Sequence, residues 1–234
     1  MKKLLETFEA LKQKNLSIDL TRGKPHSDQL DLSNDLMTQV VDPIGENGVD
    51  LRNYGEPIGI IEARKLGADI LDSKVDLTIA GEQSSYLLMT QLLLGRFLFG
   101  LDDDPWKDDK EPAFLCAVPG FDRHFATLEG LGLKMNTVNL CSSGIDLDDL
   151  NKKLSKYSNI KGLVCVPRHS NPSGEVFSDE NITSLLKITK EYNPSFINLF
   201  DHAYLIHDFH ETESQTPIPV LADDLGALDN IAVF

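Results

Sequence analysis

No run of apolar residues in this chain approaches the roughly 20 that a helix needs to cross a bilayer, so no membrane partner is expected. The opening stretch MKKLLETFEALKQKN has two lysines but no apolar core of a secretory leader. Leu4, Leu5, Phe8 and Leu11 recur there on a helical period, which reads as an amphipathic helix of a cytoplasmic protein. Basic residues are scarce: 22 Lys and Arg stand against 37 Asp and Glu, a net charge of -15. Such a chain is repelled by polyphosphate and by anionic lipid, so no nucleic-acid partner is expected either. Cysteine is rarer still. Cys116, Cys141 and Cys165 lie far apart, with neither a CxxC nor a metal-ligand spacing, so buried reduced thiols and no metal are expected. Internal repeats and low-complexity tracts are missing, and no GxGxxG follows a strand-like run, which weighs against a dinucleotide site.

What is present is alternation. The runs AFLCAVP (113–119), KMNTVNL (134–140), KGLVCVP (161–167), FINLFD (196–201) and NIAVF (230–234) read as strands. Between them FDRHFATLEGLG, DLDDLNKKLSKY and SDENITSLLKITKEY read as helices, the last with Ser178 as N-cap. Upstream, GIIEARKLGADIL (59–71) has helical spacing, and QSSYLLMTQLLLGRFLFG (83–100) is apolar nearly all round, which predicts a buried helix. The stretch between the first helix and residue 36 reads as irregular, and the acid run LDDDPWKDDKEP (101–112) as a solvated loop. Strands alternating with helices give an α/β fold, a mostly parallel sheet flanked by helices.

Polar residues gather where the strands end. Asn171 in RHSNPSG follows one strand, Asp201 closes the next with His202 and Tyr204 just beyond, and Phe121 and His124 follow a third. The segment AGEQSS (80–85) opens the apolar helix and turns its N–H groups toward any anion. Singly, each has a plain reading as turn, cap or core. Together they suit a ligand with a phosphate, a flat ring, a ring nitrogen to pair with a carboxylate and a ring hydroxyl. Pyridoxal 5'-phosphate has all four.

The order GEQSS, PGFDRHF, NPSG, DHAY resembles that of the fold-type I, class I/II aminotransferases. NPSG looks like their Asn-Pro-Thr/Ser-Gly motif, DHAY like Asp-x-Ala-Tyr, NYGEPIGIIEAR like their tyrosine-bearing segment and TRGKP like their early Gly-x-Pro turn. The combination is most similar to the MocR-like, alanine- or aspartate-type subgroup, and the likeness covers nearly the whole chain. The resemblance implies an amino acid and a 2-oxo acid as substrates, and a homodimer with shared sites. It implies that the N–H groups of Glu82 and Gln83, with a hydroxyl of Ser84 or Ser85, bind the cofactor phosphate. Phe121 would stack on the ring, Asn171 and Tyr204 would hold the ring hydroxyl oxygen, and Asp201 would pair with the ring nitrogen, supported by His124. Tyr54 would reach the neighbouring subunit's phosphate, and Gly23 would lie near the substrate carboxylate. Glu82 departs from the pattern by placing an acid beside the phosphate, which is tolerable where its side chain points away.

The resemblance also implies a division into an N-terminal segment, 1–45, that belongs to the small domain of the complete fold, and an incomplete cofactor-binding large domain, 46–234. The family's Schiff-base lysine follows the strand after Asp-x-Ala-Tyr, and no Ser-x-Ser-Lys-like segment occurs here. The chain is therefore expected to be the N-terminal part of an aminotransferase, truncated before that lysine and inactive alone. The competing expectation is a non-catalytic module that binds pyridoxal phosphate or pairs with a complete subunit.

Overall fold

The computed structural model describes residues 2–19, 23–101, 104–208 and 215–234. Thr21 and Arg22 of the TRGKP turn, and Asp102 and Asp103 of the acid run, lie outside the described residues. The chain forms two compact units, up to Pro43 and from Ile44 on.

The first unit holds α1 (Lys2–Gln13) and α2 (Ser27–Asp31). The apolar stripe of α1 is exposed, Leu4 and Phe8 included. The short α2 was not expected in the irregular stretch. It forms because His26 caps it: the His26 ring accepts the Asp28 N–H at 3.3 Å, and Gln29 Oε1 accepts the His26 N–H at 2.8 Å. That reciprocal bonding satisfies donors that a helix start otherwise leaves open.

The second unit runs α3 (Ile61–Leu71), α4 (Ser85–Leu98), β1 (Ala113–Val118), α5 (Asp122–Gly130), β2 (Lys134–Cys141), β3 (Gly144–Ile145) and α6 (Leu147–Lys156). It continues through β4 (Ile160–Cys165), α7 (Asp179–Tyr192), β5 (Ile197–Phe200), α8 (Ile218–Asp224) and β6 (Ile231–Val233). The strands form one sheet in the order β3-β2-β1-β4-β5-β6. Every pairing is parallel except that of β2 with β3. The fold is α/β with a mostly parallel sheet flanked by helices.

Successive strand residues point to opposite faces, so β1, β4 and β5 each feed two cores. From β1, Leu115 and Ala117 join Leu150 of α6, Leu185 of α7 and Ala222 of α8 on one face. Phe114 and Cys116 join Met89 and Leu93 of α4, Leu128 of α5 and Trp106 on the other. Burying a side chain the size of Phe114 or Leu115 is worth roughly 1.5–3 kcal/mol, which is what holds the helices to the sheet. One irregularity sits at the amino edge: Ala113 of β1 pairs with Ile160 of β4 but Phe114 pairs with Gly162, so β4 carries one extra residue there. From Phe114 on, the two strands stay in step to Cys116 and Val164.

Three expectations need correction. Helix α4 is not buried all round: Met89, Leu93 and Arg96 face the sheet, while Leu87 and Leu94 remain about two-fifths exposed (42% and 41%). A helix laid on one sheet covers one face only within its own chain, and apolar composition does not say what covers the other. Cys141 is exposed, unlike Cys116 and Cys165. The pairing of β2 with β1 ends at Asn139, so Cys141 lies past its parallel neighbour, paired with Gly144 alone. The acid run is not wholly solvated either, because Trp106 turns into the core beneath the Arg96 guanidinium, 5.4 Å from its ring centre.

Helix starts follow their caps. Ser178 Oγ accepts the Asn181 N–H at 3.1 Å and opens α7. Asp146 Oδ1 accepts two N–H groups at the start of α6, from Asp148 and Asp149. Among the described residues, no helix is long and apolar enough to cross a membrane.

Candidate active-site crevice

The strand order reverses direction at β1: the chain steps outward through β2 and β3, then returns to the other side of β1 through β4, β5 and β6. Open parallel sheets bind ligands outside the carboxyl ends of strands at such a point. A crevice of about 340 Å³ lies there, lined by residues that follow β1, β4 and β5 and by the first turn of α4.

After β1, the chain turns at Val118-Pro119, a cis peptide, and at Gly120. Any Cβ on Gly120 would stand 2.3 Å from the Ala117 carbonyl oxygen, so only glycine fits. Phe121 comes next and lines the crevice. Its ring meets the His124 ring edge-on, with centres 5.1 Å apart.

After β4, the loop from Arg168 presents Asn171 to the crevice. The loop is closed on itself: the Ser170 N–H donates to the Glu175 carbonyl at 2.9 Å and the Gly174 N–H to the Ser170 carbonyl at 2.5 Å. It is also tied to the segment after β5. Buried Arg168 donates through Nε to Asp208 Oδ1 at 2.8 Å, and its second amino group pairs with Asp208 Oδ2. His169 Nε2 meets the same carboxylate at 2.9 Å. These two partners, Arg168 first, hold the Asp208 carboxyl down to about 2.

After β5, Asp201 is buried against the crevice. Its Oδ2 lies 2.9 Å from His124 Nε2, and its Oδ1 accepts the Ala203 N–H at 3.2 Å. Asn171 Nδ2 donates to the Tyr204 hydroxyl at 3.2 Å, so the two residues expected to share one oxygen already touch. His202 points elsewhere. It is buried, its Nδ1 has no hydrogen-bond partner among the described residues, and it does not line the crevice. Burial, then the Arg168 charge, push its imidazole down to about 4, with Asp201 opposing. Burial also raises the thiols of Cys116, to about 12, and Cys165, so neither is a ready nucleophile.

At the start of α4, Ser84 and Ser85 line the crevice, and Ser84 Oγ caps the helix on the Leu87 N–H at 3.4 Å. The N–H groups of a first helical turn have no intrahelical acceptor. Glu82 and Gln83 are exposed and outside the lining. The Glu82 carboxylate accepts from Gln91 at 3.2 Å, so its charge is directed along the outside of α4. Tyr54 does not line the crevice within its own chain. Tyr54 is 95% exposed, and Gly23 belongs to the first unit.

The aspartate amino-transferase family model matches residues 1–234. The chain belongs to the aspartate aminotransferase family. An aspartate aminotransferase of Corynebacterium glutamicum is 37% identical over 204 residues, covering 86% of this chain and 47% of that relative. The crystal structure of a C. glutamicum aspartate transaminase matches 99% of this chain and 55% of its own, with a TM-score of 0.87 and 32% identity. An archaeal alanine:glyoxylate aminotransferase, at a TM-score of 0.66 and 18% identity, shares the fold. The chain spans about half the length of these relatives.

The donor set of this aminotransferase family member fits pyridoxal phosphate. A buried carboxylate steadied by a histidine, an amide and phenol side by side, a stackable ring and a helix start face one space. Sequence reasoning missed four lining residues: Tyr86, Arg123, Val166 and Ala203. Ala203 lies inside DHAY and Arg123 inside FDRHF, next to residues already singled out. Strand-end position was the available signal for both.

Proposed function

We propose that this chain forms the pyridoxal 5'-phosphate-binding part of an amino-acid aminotransferase, which moves an amino group between an amino acid and a 2-oxo acid. The observation that carries this reading is the convergence of Phe121, Asn171, Asp201, Tyr204, Ser84 and Ser85 on one crevice. When bound, the cofactor supplies a cationic ring that withdraws electrons from the substrate. Asp201 keeps the ring nitrogen protonated, a charge-assisted pair worth roughly 1.5–3 kcal/mol. His124 fixes the direction of that carboxylate. Asn171 and Tyr204 hold the ring hydroxyl oxygen, and Phe121 covers the ring. The first turn of α4 takes the phosphate, with N–H groups from Glu82 onward and the hydroxyls of Ser84 and Ser85.

Further assignments belong to the same proposal. The working unit is a cytoplasmic homodimer in which exposed Tyr54 reaches the phosphate of the neighbouring subunit. Gly23 lies near the substrate carboxylate. Residues 1–45 belong to the small domain of the complete fold, and 46–234 to the cofactor-binding domain. No lysine is among the described residues lining the crevice. The chain alone is therefore proposed to bind the cofactor without turnover.

Equilibrium dialysis against pyridoxal phosphate tests the site. Asp201→Ala weakens binding about tenfold or more, and His202→Ala much less; equal losses contradict the assignment. Borohydride reduction and peptide mapping test the inactivity. One dominant reduced lysine, together with turnover of an amino acid and 2-oxoglutarate, overturns it.

A further inference from the structure

We propose that Arg123 is a phosphate-binding residue of the crevice and the group by which this chain selects a phosphorylated ring over the free one. The inference rests on the cofactor reading above and adds a residue that reading does not use.

Arg123 stands in the first turn of α5, two residues after Phe121, and lines the crevice. One turn further along α5, the Thr127 hydroxyl donates to the Arg123 carbonyl at 3.2 Å and to the Tyr86 hydroxyl at 2.8 Å. Residues four apart share a helix face. The Arg123 face of α5 is therefore the one that meets Tyr86 in the first turn of α4. Ser84 and Ser85 line the crevice from that same turn.

Charge gives the second line of argument. Among the described lining residues, Arg123 is the only cation and Asp201 the only anion. Asp201 is engaged by His124 at 2.9 Å. The exposed Arg123 guanidinium forms no ion pair among the described residues, although acids outnumber bases in the chain by 37 to 22. A phosphate monoester carries about -1.5 to -2 charges near neutral pH. A helix start offers only about half a positive charge. A guanidinium supplies a full charge and a planar fork that fits two phosphate oxygens at once. The crevice then matches a ligand with an oxyanion at one end and a ring N–H⁺ at the other, without leaving a net charge uncovered.

The test compares two ligands on the 234-residue chain: pyridoxal 5'-phosphate and pyridoxal, which lacks the phosphate, each by equilibrium dialysis. The expected result is that Arg123→Gln weakens pyridoxal phosphate about tenfold or more and leaves pyridoxal within twofold. Arg123→Lys, which keeps the charge and loses the fork, falls between. Arg123 is exposed, so its thermal midpoint serves as a folding control and is expected to stay unchanged. Equal losses for both ligands, or no loss, overturn the inference while the wild-type preference for pyridoxal phosphate leaves the cofactor reading standing. Wild-type chain that binds neither ligand overturns both. A third arm uses succinate: if Arg123→Gln abolishes succinate binding and leaves the pyridoxal phosphate to pyridoxal ratio intact, Arg123 serves a substrate carboxylate and the phosphate assignment is wrong.

Discussion

His124 Nε2 and Asp201 Oδ2 stand 2.9 Å apart, and both side chains are largely buried although His124 comes from the first turn of α5 and Asp201 from the end of β5. The pair fixes a carboxylate toward the crevice. Removing one partner of a buried hydrogen bond costs the desolvation of the other, about 1–3 kcal/mol. His124→Ala is therefore expected to lower the urea midpoint and to weaken pyridoxal phosphate, though less than Asp201→Ala does. An unchanged midpoint would mean that the contact contributes nothing to the fold.

His202 makes a pH prediction. Its imidazole sits near 4 in the fold against 6.5 when free. As pH falls, the unfolded chain takes up this proton first, so the His202 contribution is whole above about 6.5 and declines toward 4. The full decline is on the order of 3–4 kcal/mol, since each tenfold change in proton affinity is worth about 1.4 kcal/mol. His202→Gln should lose less stability than wild type between neutral pH and about pH 5, where most carboxylates are still ionised. Parallel losses in denaturant melts would refute it.

Asp208 shows the opposite window. Its carboxyl is lowered from 3.8 to about 2 by Arg168 and His169, so its contribution is present above about 3.8 and disappears as pH drops toward 2. Because Arg168 and Asp208 tie the Asn171 loop to the Tyr204 segment, Asp208→Asn should do more than soften acid stability. It should speed hydrogen exchange at the Gly174 amide, which bonds Ser170. It should also weaken pyridoxal phosphate several-fold. No change in either measurement would rule out the tie.

Two glycine substitutions should diverge. A Cβ on Gly120 meets the Ala117 carbonyl oxygen at 2.3 Å and the Phe125 ring at 2.8 Å, so Gly120→Ala should cost about 1–3 kcal/mol and displace Phe121. Gly95, inside α4, has open space around it, and Gly95→Ala should raise stability by roughly 0.4–1 kcal/mol. Thermal melts check the pair; a loss at Gly95 equal to that at Gly120 would sink the argument.

Much of this fold could be read in advance because its central strands β1, β4 and β5 are buried on both faces. AFLCAV and KGLVC announce themselves as continuous apolar runs, and Ser178 and Asp146 mark helix starts by chemistry that acts locally. The strands β1, β4 and β5 are parallel neighbours, so residues just past their ends had to meet. That reasoning reached Phe121, Asn171, Asp201 and Tyr204. It failed where tertiary context decides. Two-residue β3 has no period, α2 depends on a histidine cap, and α8 is a seven-residue helix that begins beside Pro217 and Pro219, too short to show a period of its own. That Ser84 and Ser85 line the crevice while the Glu82 and Gln83 side chains do not depends on where the first turn of α4 points, and composition holds no information about that.

The extra residue that β4 carries opposite Ala113 has a consequence for how this chain tolerates change. A parallel sheet with its ligand crevice at the carboxyl edge can absorb a change of length at the other edge, provided the mismatch is taken up before the last paired residues. Here it is, since Phe114 to Cys116 run in step with Gly162 to Val164. Insertions in the connection around Ser158 are thus expected to leave the crevice in place, at the local cost of the bonds that tie Asn159 to Ala113 and Lys110. The same change between Val166 and Asn171 has no buffer downstream of it and moves the amide directly. The sheet acts as a one-sided shock absorber: its amino edge takes up a change of length, while its carboxyl edge is held to register.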